Sequence, residues 1–158
     1  YLATDNIWSG AQREDECITM AFGSDNCNLR AAVVALAEAL GTGGQKVSVF
    51  DLARDDMAEA VEDAFRYDRL VLASITYQGE IFPFMSTFIH TLAEHAYQNR
   101  TVALVEAGSW APAAAKVMTK ELEGMKDITL TENKVTVLGS LNDASRAQIE
   151  ALADELSK

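Results

Sequence analysis

Residues 17–40 read CITMAFGSDNCNLRAAVVALAEAL, and the change of period inside this stretch decides the fold. Residues 17–23 form a short apolar run of strand length. Residues 24–28 carry no bulky apolar side chain, and four of the five are Ser, Asp or Asn. From Leu29 onward Leu29, Ala32, Val33, Leu36, Ala37 and Leu40 recur at helical spacing, so they predict an amphipathic helix. Gly41 is the expected stop, with Gly43 and Gly44 extending the break. A buried strand, a polar loop and a helix start are the parts from which α/β proteins build anion sites. The helix leaves its first N–H groups without acceptors, and its dipole puts partial positive charge beside the loop. A helix N-cap at Asn26 or Asn28 explains the same residues without a ligand.

The chain has 158 residues, enough for one domain with a sizeable core. No stretch approaches the ~18–20 apolar residues that span a bilayer, and no secretory signal is visible. The first residue is Tyr1 rather than Met, as expected of a piece of a longer chain. Thirteen Lys and Arg against 24 Asp and Glu give a net charge of −11 with no basic cluster. That balance argues against nucleic acid or an anionic membrane as partner. A bound phosphate would need local N–H groups and hydroxyls to hold it against the overall field. Cys17 and Cys27 bracket the first strand, and at ~3.3 Å per residue they lie well beyond the ~7 Å reach of a disulfide. Reduced thiols and a cytoplasmic setting are expected.

Residues 1–16 are polar apart from Tyr1, Leu2, Ile7 and Trp8 and read as a linker; the domain proper is expected over 17–158. A second strand is expected over 46–50. Asp55 or Asp56 then caps a helix whose inner face is Met57, Ala60, Val61, Ala64 and Phe65. Residues 70–73 are continuously apolar, as in a strand covered on both faces. Residues 74–82 read as a loop, and Pro83 as the first residue of a helix buried through Met85, Phe88, Ile89, Leu92 and Ala96. Residues 97–100 read as a polar joint before a fourth strand, 101–105. A loop over 106–111 follows, then a helix opened by Pro112 with Ala114, Val117, Met118 and Leu122 inward. Residues 128–138 predict a fifth strand with an irregularity at Glu132-Asn133. A last helix begins near Asn142 or Asp143, with Ile149, Leu152, Ala153 and Leu156 inward. Five strands alternating with five helices imply an α/β, three-layer fold with a parallel sheet covered on both faces.

In such sheets ligands sit beyond the carboxyl ends of the strands, where strand order reverses. Three connections meet that description: 24–29, 74–82 and 106–111. The first offers Ser24, Asn26, Asn28 and backbone N–H groups to an anion. The second and third place Tyr77 and Trp110 beside small residues, which suits stacking on a planar heterocycle. Core packing is the competing reading for either ring alone. A mononucleotide, phosphate at one end and planar ring at the other, would satisfy all three loops. Other chemistries lack support. His90 and His95 are about 140° apart on a helix, no metal-ligand cluster appears, and neither a triphosphate loop nor a nucleophile elbow is present.

At these loops the chain resembles the flavodoxin-like superfamily, and more closely the C-terminal flavodoxin domain of flavodiiron proteins (A-type flavoproteins). SITYQGEIFPFMSTFIHTL, residues 74–92, is similar to that family's Ser-x-Thr-Tyr-x-x-x-x-Phe-Pro loop and following helix. NRTVALVEAGSWAPAAAKVM, residues 99–118, resembles its strand, Gly-Ser-x-x-Trp-type loop and helix, and YLATDNIWS resembles its interdomain connector. The resemblance implies a five-stranded sheet of order 2-1-3-4-5 and an FMN cofactor. The phosphate loop would run through Ser24, Asp25, Asn26, Cys27, Asn28 and Leu29. Ile75, Thr76, Tyr77, Gln78 and Gly79 would meet the ring from one side, and Gly108, Ser109 and Trp110 from the other. It also implies an upstream electron donor, and a diiron β-lactamase-like domain, in the same chain or in a head-to-tail homodimer partner, that reduces dioxygen or nitric oxide. The metal ligands belong to that other domain. The chain departs from the family at two places: Cys27 stands where the phosphate loop has Gly, and Leu29 where it closes with Thr.

Three readings follow. The first is an FMN-binding electron-transfer domain, part of an oxidoreductase. The second is a flavodoxin-like docking or dimerisation module without FMN, motivated by Cys27 and Leu29. The third is a small flavin reductase, for which no nicotinamide site is visible in the sequence.

Overall fold

The computed structural model describes residues 14–23, 27–52, 54–77, 80–81, 83–95, 97–98, 100–108, 114–123, 125–138 and 142–156. Strand β1 (Glu14–Gly23) leads to helix α1 (Cys27–Thr42), β2 (Lys46–Asp51), α2 (Met57–Arg66), β3 (Tyr67–Tyr77) and the short β4 (Glu80–Ile81). Helix α3 (Pro83–Glu94), β5 (Arg100–Gly108), α4 (Ala114–Leu122), β6 (Ile128–Leu130), β7 (Val135–Leu138) and α5 (Asp143–Leu156) complete it. The sheet runs β2-β1-β3-β5-β6, with β7 continuing alongside β5 and every one of these pairings parallel. This is the expected 2-1-3-4-5 order, with β6 and β7 together forming the fifth strand. The break between them, at 131–134, contains the Glu132-Asn133 irregularity.

Alternation along the strands divides the core in two. Ile18, Met20, Phe22, Val71, Ala73, Val105 and Val137 pack with Leu29, Val33 and Leu36 of α1 and Ile149, Leu152 and Leu156 of α5. Ala21, Leu70, Leu72, Val102 and Leu104 pack on the opposite face, with Ala60, Ala64 and Phe65 of α2, Met85, Phe88 and Ile89 of α3, and Met118 and Leu122 of α4. Burial on both faces is why residues 70–73 are apolar without a break. The apolar stripes of α1, α3 and α5 lie inward as their spacing requires; Ala37, Met57, Val61 and Val117 are only half-buried.

Hydrogen bonds and strand pairing set the element ends. Helix α1 does not stop at Gly41. It continues to Thr42 and closes through Gly44, whose φ is +92°, with Gly44 N–H donating to the Gly41 carbonyl and Gln45 N–H to Leu40. That paired arrangement is the Schellman stop, and it needs glycine at 44 because only glycine takes a positive φ without cost. Asp56, not Asp55, caps α2 by accepting from Ala58 N–H; Asp55 accepts from Asp51 N–H instead. Asn142 caps α5 by accepting from Ser145 N–H. Strand β1 begins three residues early, at Glu14, with a register shift against β3 between Glu14 and Ile18. Helix α4 is described from Ala114; Pro112 lies outside the described residues, as do Trp8 and Ala96.

The expected polar joint at 97–100 is the largest correction. Tyr97 and Arg100 are buried. Arg100 donates to the carbonyls of Phe65, Tyr67 and Gln98 and stacks over the Tyr97 ring. The guanidinium thereby meets carbonyls at the C-terminal end of α2, where the helix leaves acceptors open and the dipole favours a cation.

Candidate functional site

The carboxyl ends of β1, β3 and β5 lie side by side. The last pairs in register are Gly23 with Ser74, Ile75 with Ala107, and Gly108 with Leu138. Neighbouring strands are about 4.8 Å apart, so the ends of β1 and β5 are separated by roughly 10 Å. The three candidate connections therefore leave one short edge. Helix α1 covers one face of the sheet and α2 the other, so the chain changes face and direction between β1 and β3. That crevice is the topological switch point.

All three expected loops are shorter than the sequence implied: α1 opens at Cys27, inside the expected 24–29 connection. Ile75, Thr76 and Tyr77 belong to β3. The strand is prolonged by β5 on one side and by an antiparallel pairing with β4, Thr76 with Ile81 and Tyr77 with Glu80. Glu106, Ala107 and Gly108 likewise belong to β5, paired with β3 and β7. The residues left between elements are 24–26, 78–79, 82 and 109–113.

Among the expected site residues, Ser24, Asp25, Asn26, Gln78, Gly79, Ser109 and Trp110 lie outside the described residues. For Cys27, Asn28, Thr76, Tyr77 and Gly108 the main-chain positions are described. Cys27 and Asn28 are not loop residues. Helix α1 opens at Cys27, so Asn28 falls inside the first turn and is not the N-cap. Ile75 is half-buried against the α1 side of the core.

Two of these positions bear on whether a phosphate-bearing ligand fits. Cys27 is the first residue of α1, a helical position that does not call for Gly. Leu29 is fully buried in the core with Ile18, Phe22 and Leu36. Its side chain serves packing, so it can offer a ligand only its main chain. The described donor is the start of α1, and the open N–H groups of a helix start match an anion.

Sequence reasoning missed three charged residues at or beside this edge. Arg30, in the first turn of α1, reaches Asp51 at 3.2 Å and lies over the Phe22 ring at 5.8 Å. Asp51 ends β2 and also faces Arg54 at 3.8 Å. Glu106 is 3% exposed and meets Lys134 at 3.4 Å. No local pattern marks a buried carboxylate in a strand; only the partners on α4 and β7 make it intelligible. Among the described residues no group of His, Cys, Asp or Glu is placed to hold a metal ion. Cys17 pairs in register with Lys46, whereas Cys27 lies past the other end of β1, about 20 Å away, so the two do not bond. No helix among the described residues is long and apolar enough to cross a membrane.

The strand order, the helices on both faces and the switch-point edge define a flavodoxin-like α/β domain. Solved structures agree. The chain is similar to the rubredoxin oxygen:oxidoreductase of Desulfovibrio gigas (TM-score 0.86, 16% identity, 92% of this chain and 36% of that one). It is similar to the flavodiiron protein of Giardia intestinalis (0.82, 14%, 94% and 37%) and to an archaeal flavodoxin (0.77, 15%, 89% and 96%). The chain thus spans about a third of the flavodiiron structures and nearly all of the flavodoxin. At these identities the likeness shows the fold. No family model and no curated protein matches by sequence.

Proposed function

We propose that this domain binds FMN at the β1–β3–β5 edge and works as an electron-transfer domain, with its thiols reduced in a cytoplasmic setting. The observation that carries the reading is the juxtaposition at one edge: α1 opens four residues after β1 ends, beside the strands that lead to Tyr77 and Trp110. Ser24, Asp25, Asn26, Cys27, Asn28 and the Leu29 main chain would surround the phosphate. Ile75, Thr76, Tyr77, Gln78 and Gly79 would hold one side of the ring, and Gly108, Ser109 and Trp110 the other. Bound FMN supplies the redox chemistry, while the protein orients it and sets its potential.

The likeness to flavodiiron structures supports a finer reading. Electrons from an upstream donor would pass to a diiron β-lactamase-like domain, in the same chain or a partner subunit, that reduces dioxygen or nitric oxide. Reconstitution tests the first step: apo-chain mixed with FMN and gel-filtered should elute with flavin absorption in one-to-one ratio, and the bound flavin should be reducible and reoxidisable in full. Protein that elutes without flavin contradicts it. A second reading, a docking module that has lost FMN, is favoured by one observation, the commitment of Leu29 to the core where the family pattern has a hydroxyl.

A further inference from the structure

Strands covered on both faces are expected to be apolar where they meet helices. On the α4 side of the sheet, close to the candidate site, three neighbouring positions break that rule. Register sets Ser74, Glu106 and Thr136 side by side across β3, β5 and β7. Ser74 is fully buried, Glu106 is 3% exposed and Thr136 is half-buried.

Glu106 is met from three directions. Ala115 N–H, in the first turn of α4, donates to Oε1 at 3.4 Å. The Thr136 hydroxyl of β7 donates to Oε2 at 3.1 Å. Lys134, between β6 and β7, places Nζ 3.4 Å from the same oxygen. A buried carboxylate is costly unless it is paired and hydrogen-bonded, and a well-packed apolar residue in its place is often neutral or stabilising. Stability alone therefore does not account for Glu106.

Its position does. Glu106 lies two residues before Gly108, where β5 ends, and its Oε1 reaches one residue into α4. One side chain thus ties together both ends of the 109–113 connection. Building on the FMN reading above, we infer that Glu106 is a positioning residue for the flavin: by fixing the end of β5 and the start of α4 relative to β7, it sets the span between them at the flavin edge.

Two variants test this in the 158-residue chain. Glu106→Leu keeps the volume and removes all three contacts, whereas Glu106→Gln keeps an oxygen for Ala115 N–H. Apo-protein melting temperature, FMN affinity and the visible absorption of bound flavin are read on the same preparations. Glu106→Leu should weaken FMN binding tenfold or more and move the absorption bands toward those of free FMN, with Glu106→Gln between. A merely structural role would shift the melting temperature and leave affinity and spectrum at wild-type values, which overturns the inference. If Glu106→Leu does not fold, the spectrum and affinity of Glu106→Gln decide on the same terms. A wild-type chain that binds no FMN overturns the flavin reading and this inference with it. A wild type that binds beside variants that bind identically overturns the inference alone.

Discussion

Arg100 Nη2 donates to the Phe65 carbonyl at 2.7 Å, joining the start of β5 to the end of α2. Its other donors reach Tyr67 and Gln98, so a buried guanidinium closes the end of the sheet opposite the candidate site. Losing it strands the buried Phe65 carbonyl and two part-buried ones, and a buried carbonyl left unmet costs about 1–3 kcal/mol.

Arg100→Ala is therefore expected to destabilise the chain by about 3 kcal/mol or more, with Arg100→Lys intermediate because one ammonium cannot reach three separated carbonyls. Urea unfolding of both variants measures this. A loss below ~1 kcal/mol for Arg100→Ala would show that water replaces the guanidinium.

Asp63 gives stability a defined pH dependence. Burial pushes its carboxyl above the ordinary 3.8; Arg66 and the Ser48 hydroxyl pull it back, and Glu62 adds to the rise. A raised acid holds its proton in the folded state at pH values where the unfolded chain has lost it. Its penalty is absent below 3.8 and develops as pH climbs through the folded value. Asp63→Asn should raise the melting temperature at pH 7 and have little effect near pH 3. Equal shifts at both pH values would contradict this assignment.

Leu29 separates packing from binding. Its side chain is wholly buried among Ile18, Phe22 and Leu36. Leu29→Ala should cost about 2–5 kcal/mol of stability through the cavity it leaves. FMN affinity of the folded fraction should change less than about threefold, since the side chain points into the core and leaves only the main chain of the α1 first turn for a ligand. A larger drop, measured well below the melting temperature, would assign the side chain a direct part in binding.

The net charge of −11 bears on redox potential. Reduction adds negative charge in a field that is already negative. The bound flavin should have a midpoint below that of free FMN, and the midpoint should rise as added salt screens the field. Anaerobic reductive titration at two ionic strengths tests both statements; a midpoint well above that of free FMN contradicts the first.

The sequence disclosed what local pattern controls. The α1 stripe from Leu29 to Leu40, Pro83 at the start of α3 and the break between Leu130 and Val135 all follow from periodicity or backbone chemistry. Strand lengths did not, because Ser74 to Tyr77 and Glu106 to Gly108 look like loop until their partner strands are known. Buried polar residues were equally hidden. Arg100 and Glu106 are ordinary surface types by composition, and only carbonyls from α2 and donors from α4 and β7 explain their burial. The candidate site was legible as three connections on one sheet edge. Its two departures became interpretable once α1 was seen to open at Cys27 and Leu29 to face the core.

As proposed, this edge holds a phosphate at α1 and a planar ring beside Tyr77 and Trp110. Titrating apo-chain with FMN and, in parallel, with riboflavin, while following flavin fluorescence, tests both halves together. Saturable one-to-one FMN binding at about micromolar or tighter, with strong quenching, is expected. Riboflavin should bind at least tenfold more weakly, a difference of about 1.4 kcal/mol from the phosphate. Equal affinities would contradict the phosphate site at α1. Absence of FMN binding at several hundred micromolar (about 5 kcal/mol of binding free energy or less) would contradict the whole reading and leave a flavodoxin-like docking module in its place.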